Sequence, residues 1–233
     1  MPLRKSEGNM YDFVTHVWNP VKGRCAYGCS YCYVKKIANR FGKQQPEPYL
    51  DEKEMRASLG SGNFIFVCSA TDLFQDGIPV WWITHVMDYV RKFPGNSYLW
   101  HTKNPLRARA FNGFIGKNDM LCITIESDLY YPEISKADIP DERFKHMIGY
   151  KKPWMLTMEP IMDFSMPALA TNILLNMPVQ VNIGADSGRN NLPEPGAEKL
   201  TELIDWLEPR TKVHLKKNLR RLLPEHRLYG EGV

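Results

Sequence analysis

Three cysteines carry the strongest chemical signal in the chain. Cys25, Cys29 and Cys32 stand in the segment Cys-Ala-Tyr-Gly-Cys-Ser-Tyr-Cys, a C-x3-C-x2-C spacing. Thiolates this close reach one metal centre only when the loop between them folds back, and Gly28 supplies the backbone freedom for that turn. Three is one short of the four thiolates that close a structural zinc site or an ordinary iron–sulfur cluster. No fourth cysteine follows at a ligand spacing, because Cys68 and Cys122 lie inside apolar runs and read as small buried hydrophobes. The donor set therefore fits a [4Fe–4S] cluster with three irons held by protein and the fourth open to another ligand. A zinc site completed by a distant histidine, such as His16 or His101, is the alternative, although zinc ligands usually come as two paired hooks.

The elements that must position this loop are legible as a rhythm of strands and helices. Residues 11–18 are β-branched and aromatic, and Asn19-Pro20-Val21-Lys22-Gly23 breaks that run and leads into the cysteines. Val34, Ile37, Ala38 and Phe41 then recur at helical spacing, with Gly42 placed to stop the helix. Residues 43–63 are loop-rich, with a short helix expected near 51–58. Further strands are expected at 64–68, 97–102, 120–126, 154–159, 179–184 and 212–215. Helices are expected near 79–92, 106–115, 141–149, 166–176, 196–207 and 216–223. Strands apolar on both faces, alternating with amphipathic helices, predict an α/β fold with a parallel sheet of about seven strands. One domain over 1–233 is expected, with a core at about 11–217 and a basic C-terminal helix and tail at 216–233.

In such sheets the loops after the strands gather the functional groups. Here those positions are unusually polar: Ser69, Thr71 and Asp72; His101, Thr102 and Lys103; Glu126 and Ser127; Glu159; Asn182 and Asp186; and Lys216. One carboxylate at the end of an apolar strand is commonplace as a helix cap, but six strand ends of this kind point to a site.

The C-x3-C-x-aromatic-C motif resembles the signature of the radical S-adenosylmethionine (radical SAM) superfamily. The resemblance implies a [4Fe–4S] cluster on Cys25, Cys29 and Cys32 whose open iron chelates SAM. It also implies reductive cleavage of SAM to a 5'-deoxyadenosyl radical that abstracts hydrogen from a substrate, on a partial (βα)6-type parallel barrel. The second strand end of that superfamily usually carries a Gly-Gly-Glu-like motif for the SAM amino group. Ser69-Ala70-Thr71-Asp72 departs from it and is similar to the corresponding segment of spore photoproduct lyase-like proteins. The resemblance further assigns Tyr31 to adenine and Glu126 to the SAM ribose, with a salt bridge to Lys103 as the plainer reading of Glu126. Thr102, Ser127 and Asn182 are carried over as further cofactor contacts, and Lys103, Glu159 and Asp186 as candidate catalytic residues. Trp100-His101-Thr102-Lys103, Met158-Glu159-Pro160 and the loop Gly184-Ala185-Asp186-Ser187-Gly188 are similar to an uncharacterised phage-encoded radical SAM family.

Composition bounds the partners. Hydrophobic content of 43% with 24% charged residues is ordinary for a globular chain. No apolar run reaches the ~18 residues of a membrane span, and Met1-Pro2-Leu3-Arg4-Lys5 lacks a signal-peptide core, so no membrane association and a cytoplasmic setting are expected. The net charge of +4 is concentrated at residues 210–227, where seven basic residues face Glu225 alone. That end reads as a solvated terminal helix or as a contact for phosphates. The substrate class favoured is a nucleic acid or nucleotide, with a peptide or small metabolite as the alternative, and the electron donor implied is a flavodoxin or ferredoxin. A non-catalytic iron–sulfur or zinc protein is the rival of another class.

Overall fold

The computed structural model describes residues 3–7 and 10–229. The chain divides into two compact units, Met1–Cys122 with Glu133–Ala137, and Ile123–Pro132 with Asp138–Val233. The first contains β1 (Arg4–Lys5), β2 (His16–Trp18), β3 (Val21–Lys22), α1 (Tyr33–Arg40), β4 (Tyr49–Leu50), β5 (Phe64–Val67), α2 (Val80–Val90), β6 (Ser97–Thr102) and α3 (Pro105–Ala110). Strand β7 (Met120–Thr124) lies where the chain passes from the first unit to the second. The second contains α4 (Pro140–Lys145), β8 (Trp154–Met158), α5 (Met166–Asn176), β9 (Gln180–Ile183), α6 (Ala197–Leu207) and β10 (Lys212–Leu215).

The fold is α/β, as expected: a mostly parallel eight-stranded sheet in the order β1-β2-β5-β6-β7-β8-β9-β10, with no closure into a barrel. Strand β1 runs antiparallel to its neighbour, β2. In the first unit β2, β5 and β6 are parallel and register His16 with Ile65 and Val67 with Trp100. In the second, β8, β9 and β10 are parallel, with Thr157 opposite Asn182 and Asn182 opposite His214. Every residue of β8 and β9 is buried, which is why their sequences show no alternation.

The helices cover the sheet through the stripes that spacing predicts. Ile83, Val86, Met87 and Val90 of α2, and Leu200, Leu203, Ile204 and Leu207 of α6, are the buried residues of their helices. Trp18, Phe74 and Trp100 fill the first unit's core, and Trp154, Phe164 and Leu156 the second's.

Four local expectations are corrected. The first strand is limited to His16–Trp18, because residues 11–14 turn, with Val14 N–H donating to the Tyr11 carbonyl at 3.0 Å. The short helix near 51–58 is a 3-10 turn at Glu54–Arg56. Helix α3 stops at Ala110, just before Asn112-Gly113, residues that favour turns. The basic C-terminal helix is a 3-10 segment, Lys217–Arg221, and residues 230–233 of the expected tail lie outside the described residues. Among the described residues, no helix is long and apolar enough to cross a membrane.

Candidate functional site

In the first unit the cysteine loop leaves β3 through Gly23, whose φ of +107° suits glycine, and a Cβ there would fall 2.5 Å from the Glu47 carbonyl oxygen. Two turns follow. Gly28 N–H donates to the Cys25 carbonyl at 3.4 Å, and Cys32 N–H to the Cys29 carbonyl at 3.2 Å. Gly28 itself has φ +54° and open space around it, so its role is the backbone turn rather than close packing. Cys32 caps α1 through its backbone carbonyl, which accepts from Lys36 N–H at 3.1 Å, and its side chain makes no cap hydrogen bond.

Segment 134–136 holds the loop from outside. Ser30 N–H donates to the Ile134 carbonyl at 2.8 Å and Lys136 N–H to the Tyr27 carbonyl at 2.9 Å. The Cys29 sulfur lies 3.3 Å from the Ser135 hydroxyl. Cys29 is buried beside Tyr27 and Ala137, with Cys25, Tyr31 and Cys32 partly buried against them. All five cysteines are free thiols. Burial, reinforced by the charge of Asp72, pushes the Cys25 thiol up to about 12. Such a thiol ionises when a metal supplies the missing positive charge.

Among the described residues, no three His, Cys, Asp or Glu side chains converge as a single-ion site. A four-iron cluster makes a different demand, since each thiolate binds its own iron at a separate corner. Three free thiols on one folded loop fit that demand.

The ends of β5 and β6 meet beside this loop. Cys68 adopts a left-handed φ of 58°, which turns the chain out of β5. The Ser69 hydroxyl and the Ala70 N–H then donate to the Asn19 side chain at 3.2 and 3.0 Å. The Asp72 carboxylate accepts from Phe74 N–H, the Thr102 hydroxyl and Lys103 N–H, each at 2.8 Å. It clamps the two strand ends together, and burial still pushes its pKa up to about 6 against those donors. The Lys103 ammonium donates to the Tyr31 hydroxyl at 2.7 Å. The first unit thus gathers Cys25, Cys29, Cys32, Tyr31, Ser69, Thr71, Asp72, Thr102 and Lys103 on neighbouring segments.

Gln75 is the residue that sequence reasoning missed here. It is fully buried, and its side-chain carbonyl accepts from Ala26 N–H. Its amide donates to the Arg24 carbonyl at 3.4 Å and the Thr71 hydroxyl at 3.1 Å. It therefore ties the start of the cysteine loop to the loop after β5. Gln75→Leu keeps the volume but leaves these groups without a partner. The protein should lose about 1–3 kcal/mol for the orphaned groups, read as a lower midpoint in chemical denaturation. An unchanged midpoint would show that the loop is held without Gln75.

In the second unit Glu126 is 2% exposed and pairs at 2.9 Å with Arg143 of α4, itself 4% exposed. Arg143 is a salt-bridge partner that the sequence did not suggest. The Ser127 hydroxyl donates to the Asp163 carbonyl at 2.5 Å and accepts from Leu129 N–H at 2.9 Å. Glu159 accepts from the Lys216 ammonium at 2.7 Å and from Asn218 at 3.1 Å. Gly184 lets that carboxylate approach, since a Cβ there would lie 2.9 Å from it. Asn182 is fully buried, accepting from Gln180 at 2.7 Å and donating to the Thr157 hydroxyl at 3.1 Å. Asp186 holds its own loop, accepting from Gly188 N–H at 2.9 Å and from the backbone and side chain of Asn190.

Three of the seven basic residues at 210–227 form ion pairs among the described contacts. Lys216 is only 5% exposed and bound to Glu159, Arg221 bridges Glu194 at 2.6 Å, and Arg227 contacts Asp205 and Glu208. The carboxylate partners come from distant segments, so these pairs were not visible in the sequence, and Lys212, Lys217, Arg220, Arg221 and Arg227 stay exposed.

The fold is shared with solved structures of spore photoproduct lyase. A variant with bound AdoMet and dinucleoside spore photoproduct aligns with a TM-score of 0.61 at 10% identity, covering 92% of this chain and 80% of that one. The enzyme complexed with dinucleoside spore photoproduct aligns with a TM-score of 0.58 at 10% identity, covering 89% and 78%. At that identity the likeness is one of fold. A comparison with curated proteins finds no significant match. The family model described as "Protein of unknown function (DUF5131)" matches residues 9–163, more than half of the chain, and the chain belongs to that family.

Proposed function

We propose that this protein is a radical SAM enzyme acting on a nucleic acid or nucleotide. The observation that carries the reading is the cysteine loop itself: three free thiols in C-x3-C-x2-C spacing, braced against the ends of β5 and β6 in a fold shared with spore photoproduct lyase. Cys25, Cys29 and Cys32 would hold a [4Fe–4S] cluster. Bound there and reduced by a flavodoxin or ferredoxin, the cluster would supply the one-electron chemistry that cleaves SAM to a hydrogen-abstracting radical.

The chain's own residues do the positioning. Asp72 fixes the ends of β5 and β6 by accepting from Thr102 and Lys103, which leaves the backbone of Ser69–Thr71 on a rigid turn for the SAM amino group. Tyr31, between two of the cysteines, is steadied through its hydroxyl by Lys103, and its ring is offered to adenine. Glu126, to which the resemblance gives the ribose hydroxyls, is preset as an acceptor by Arg143. Lys103 and Glu159 are the candidates for substrate contact, whereas Asp186 acts by shaping its loop. The nucleotide substrate class is supported by the dinucleoside bound to the structural neighbours.

The test is anaerobic incubation of iron- and sulfide-reconstituted protein with SAM and dithionite. Formation of 5'-deoxyadenosine is the expected result. Stoichiometric zinc with no iron, and no SAM cleavage, would assign the loop to a zinc scaffold instead.

A further inference from the structure

Helix α1 (Tyr33–Arg40) follows directly on Cys32 and buries none of its residues, which is unusual for a helix in an α/β fold. Tyr33, Ile37 and Phe41 follow one another at i, i+4 and i+8, so they form one ridge along the helix. They are 54%, 52% and 68% exposed. Lys35, Lys36, Arg40 and Lys43 are all exposed beside them, and no acidic residue occurs from residue 33 to residue 46. Lys36 and Arg40 are also four apart, which puts them on one line flanking the ridge. Arg4 of β1 adds a further exposed positive charge that acts on the Tyr33 hydroxyl.

The ridge is also rigidly placed. Tyr33 donates its hydroxyl to the Ser69 carbonyl at 3.0 Å, which fixes the ring at the end of β5. An exposed apolar ridge of this kind marks a contact surface. Its positive border selects a polyanion, and its aromatic ends suit the π-faces of unpaired bases. Tyr33 and Phe41 are separated by about 12 Å along the helix, room for about three base steps at ~3.4 Å each. Among the described residues, the C-terminal basic block has no exposed aromatic residue to form such a ridge.

We propose that the outer face of α1, the Tyr33–Ile37–Phe41 ridge with Lys36 and Arg40 beside it, seats a single-stranded nucleic acid next to the cysteine loop. The inference deepens the nucleic-acid half of the proposed function and does not depend on SAM chemistry. Base stacking on the ridge tolerates any sequence, so little sequence preference is expected.

Fluorescence anisotropy with labelled single-stranded DNA and RNA of about 12 nucleotides, within the ~4–16 typical of such sites, tests it on the reconstituted protein. Unaltered protein should bind, with a log–log salt slope of about 0.7 per phosphate contacted. Phe41→Ala should weaken binding roughly 5- to 100-fold through lost stacking. Lys36→Glu with Arg40→Glu should weaken it further and flatten the slope by about 1.4, two phosphates' worth. Arg40→Gln, a gentler change on the same exposed face, should flatten it by about half of that. Lys217→Glu with Arg220→Glu should leave binding unchanged. No binding at low salt, or binding that the α1 variants do not alter, overturns the proposal. So does tight binding of a flavodoxin without any oligonucleotide binding, which would make α1 a protein-docking face. Iron content and SAM cleavage, measured on the same preparations, report separately on the cluster.

Discussion

Replacing Cys25, Cys29 or Cys32 with Ala should leave anaerobically reconstituted protein with little or no iron and abolish formation of 5'-deoxyadenosine from SAM. The unaltered protein should hold about four irons per chain, as a four-iron cluster requires. Each substitution removes a thiolate for which the loop has no equivalent. The Ser135 hydroxyl lies 3.3 Å from the Cys29 sulfur, but a hydroxyl lacks the soft sulfur donor that iron–sulfur clusters select. The controls are the two remaining cysteines, both fully or almost fully buried. Cys68→Ala and Cys122→Ala should retain iron and cost about 1 kcal/mol or somewhat more through lost packing. Iron lost on changing Cys68 would show the ligand set to be different. Iron retained in Cys29→Ala would remove the basis for the cluster.

The elements that position the loop were legible because their signals are local. The 3.6 period of α2 and α6 and the apolar runs of β5 to β9 depend only on near neighbours in sequence. Helix α5 begins and ends at Met166 and Asn176, where the pattern places it. The two-residue strands β1, β3 and β4 were not legible, since two residues carry no period. The partners of the site residues were hidden for a related reason. Gln75 reaches Ala26 across 49 positions, Ser135 meets Cys29 across 106, and Lys216 meets Glu159 across 57. Charge and polarity at each strand end were visible, but which side chain spends that polarity on structure is decided by the fold. Asn182 illustrates the point: it was singled out as a polar strand-end residue, and the sheet satisfies it within the core of the second unit.

Arg143→Met should destabilise the protein by about 3–5 kcal/mol, the cost of breaking a buried ion pair by removing one of its members. Glu126 and Arg143 are both almost fully buried and joined at 2.9 Å. The same guanidinium group also donates to the Thr124 carbonyl, a second contact that the substitution removes. The pair is not fully satisfied even in the native protein, because the Arg143 Nε–H has no hydrogen-bond partner. A pair of this kind gains little net stability from its charges, and its arrangement is better understood as fixing where the Glu126 carboxylate sits. The double variant Glu126→Leu with Arg143→Met should therefore recover much of the loss, since two apolar groups need no partner. Chemical denaturation followed by tryptophan fluorescence measures all three proteins, and the double-mutant cycle isolates the pairwise coupling. Glu126→Gln is the companion experiment, for it keeps the shape and one acceptor while removing the charge. It should weaken SAM binding by about 1–3 kcal/mol, the range for hydrogen bonds to charged groups, with iron content unchanged. Additive losses in the cycle, with no recovery in the double variant, would show that the two side chains act independently. Unaltered SAM affinity in Glu126→Gln would leave Glu126 with a structural role alone.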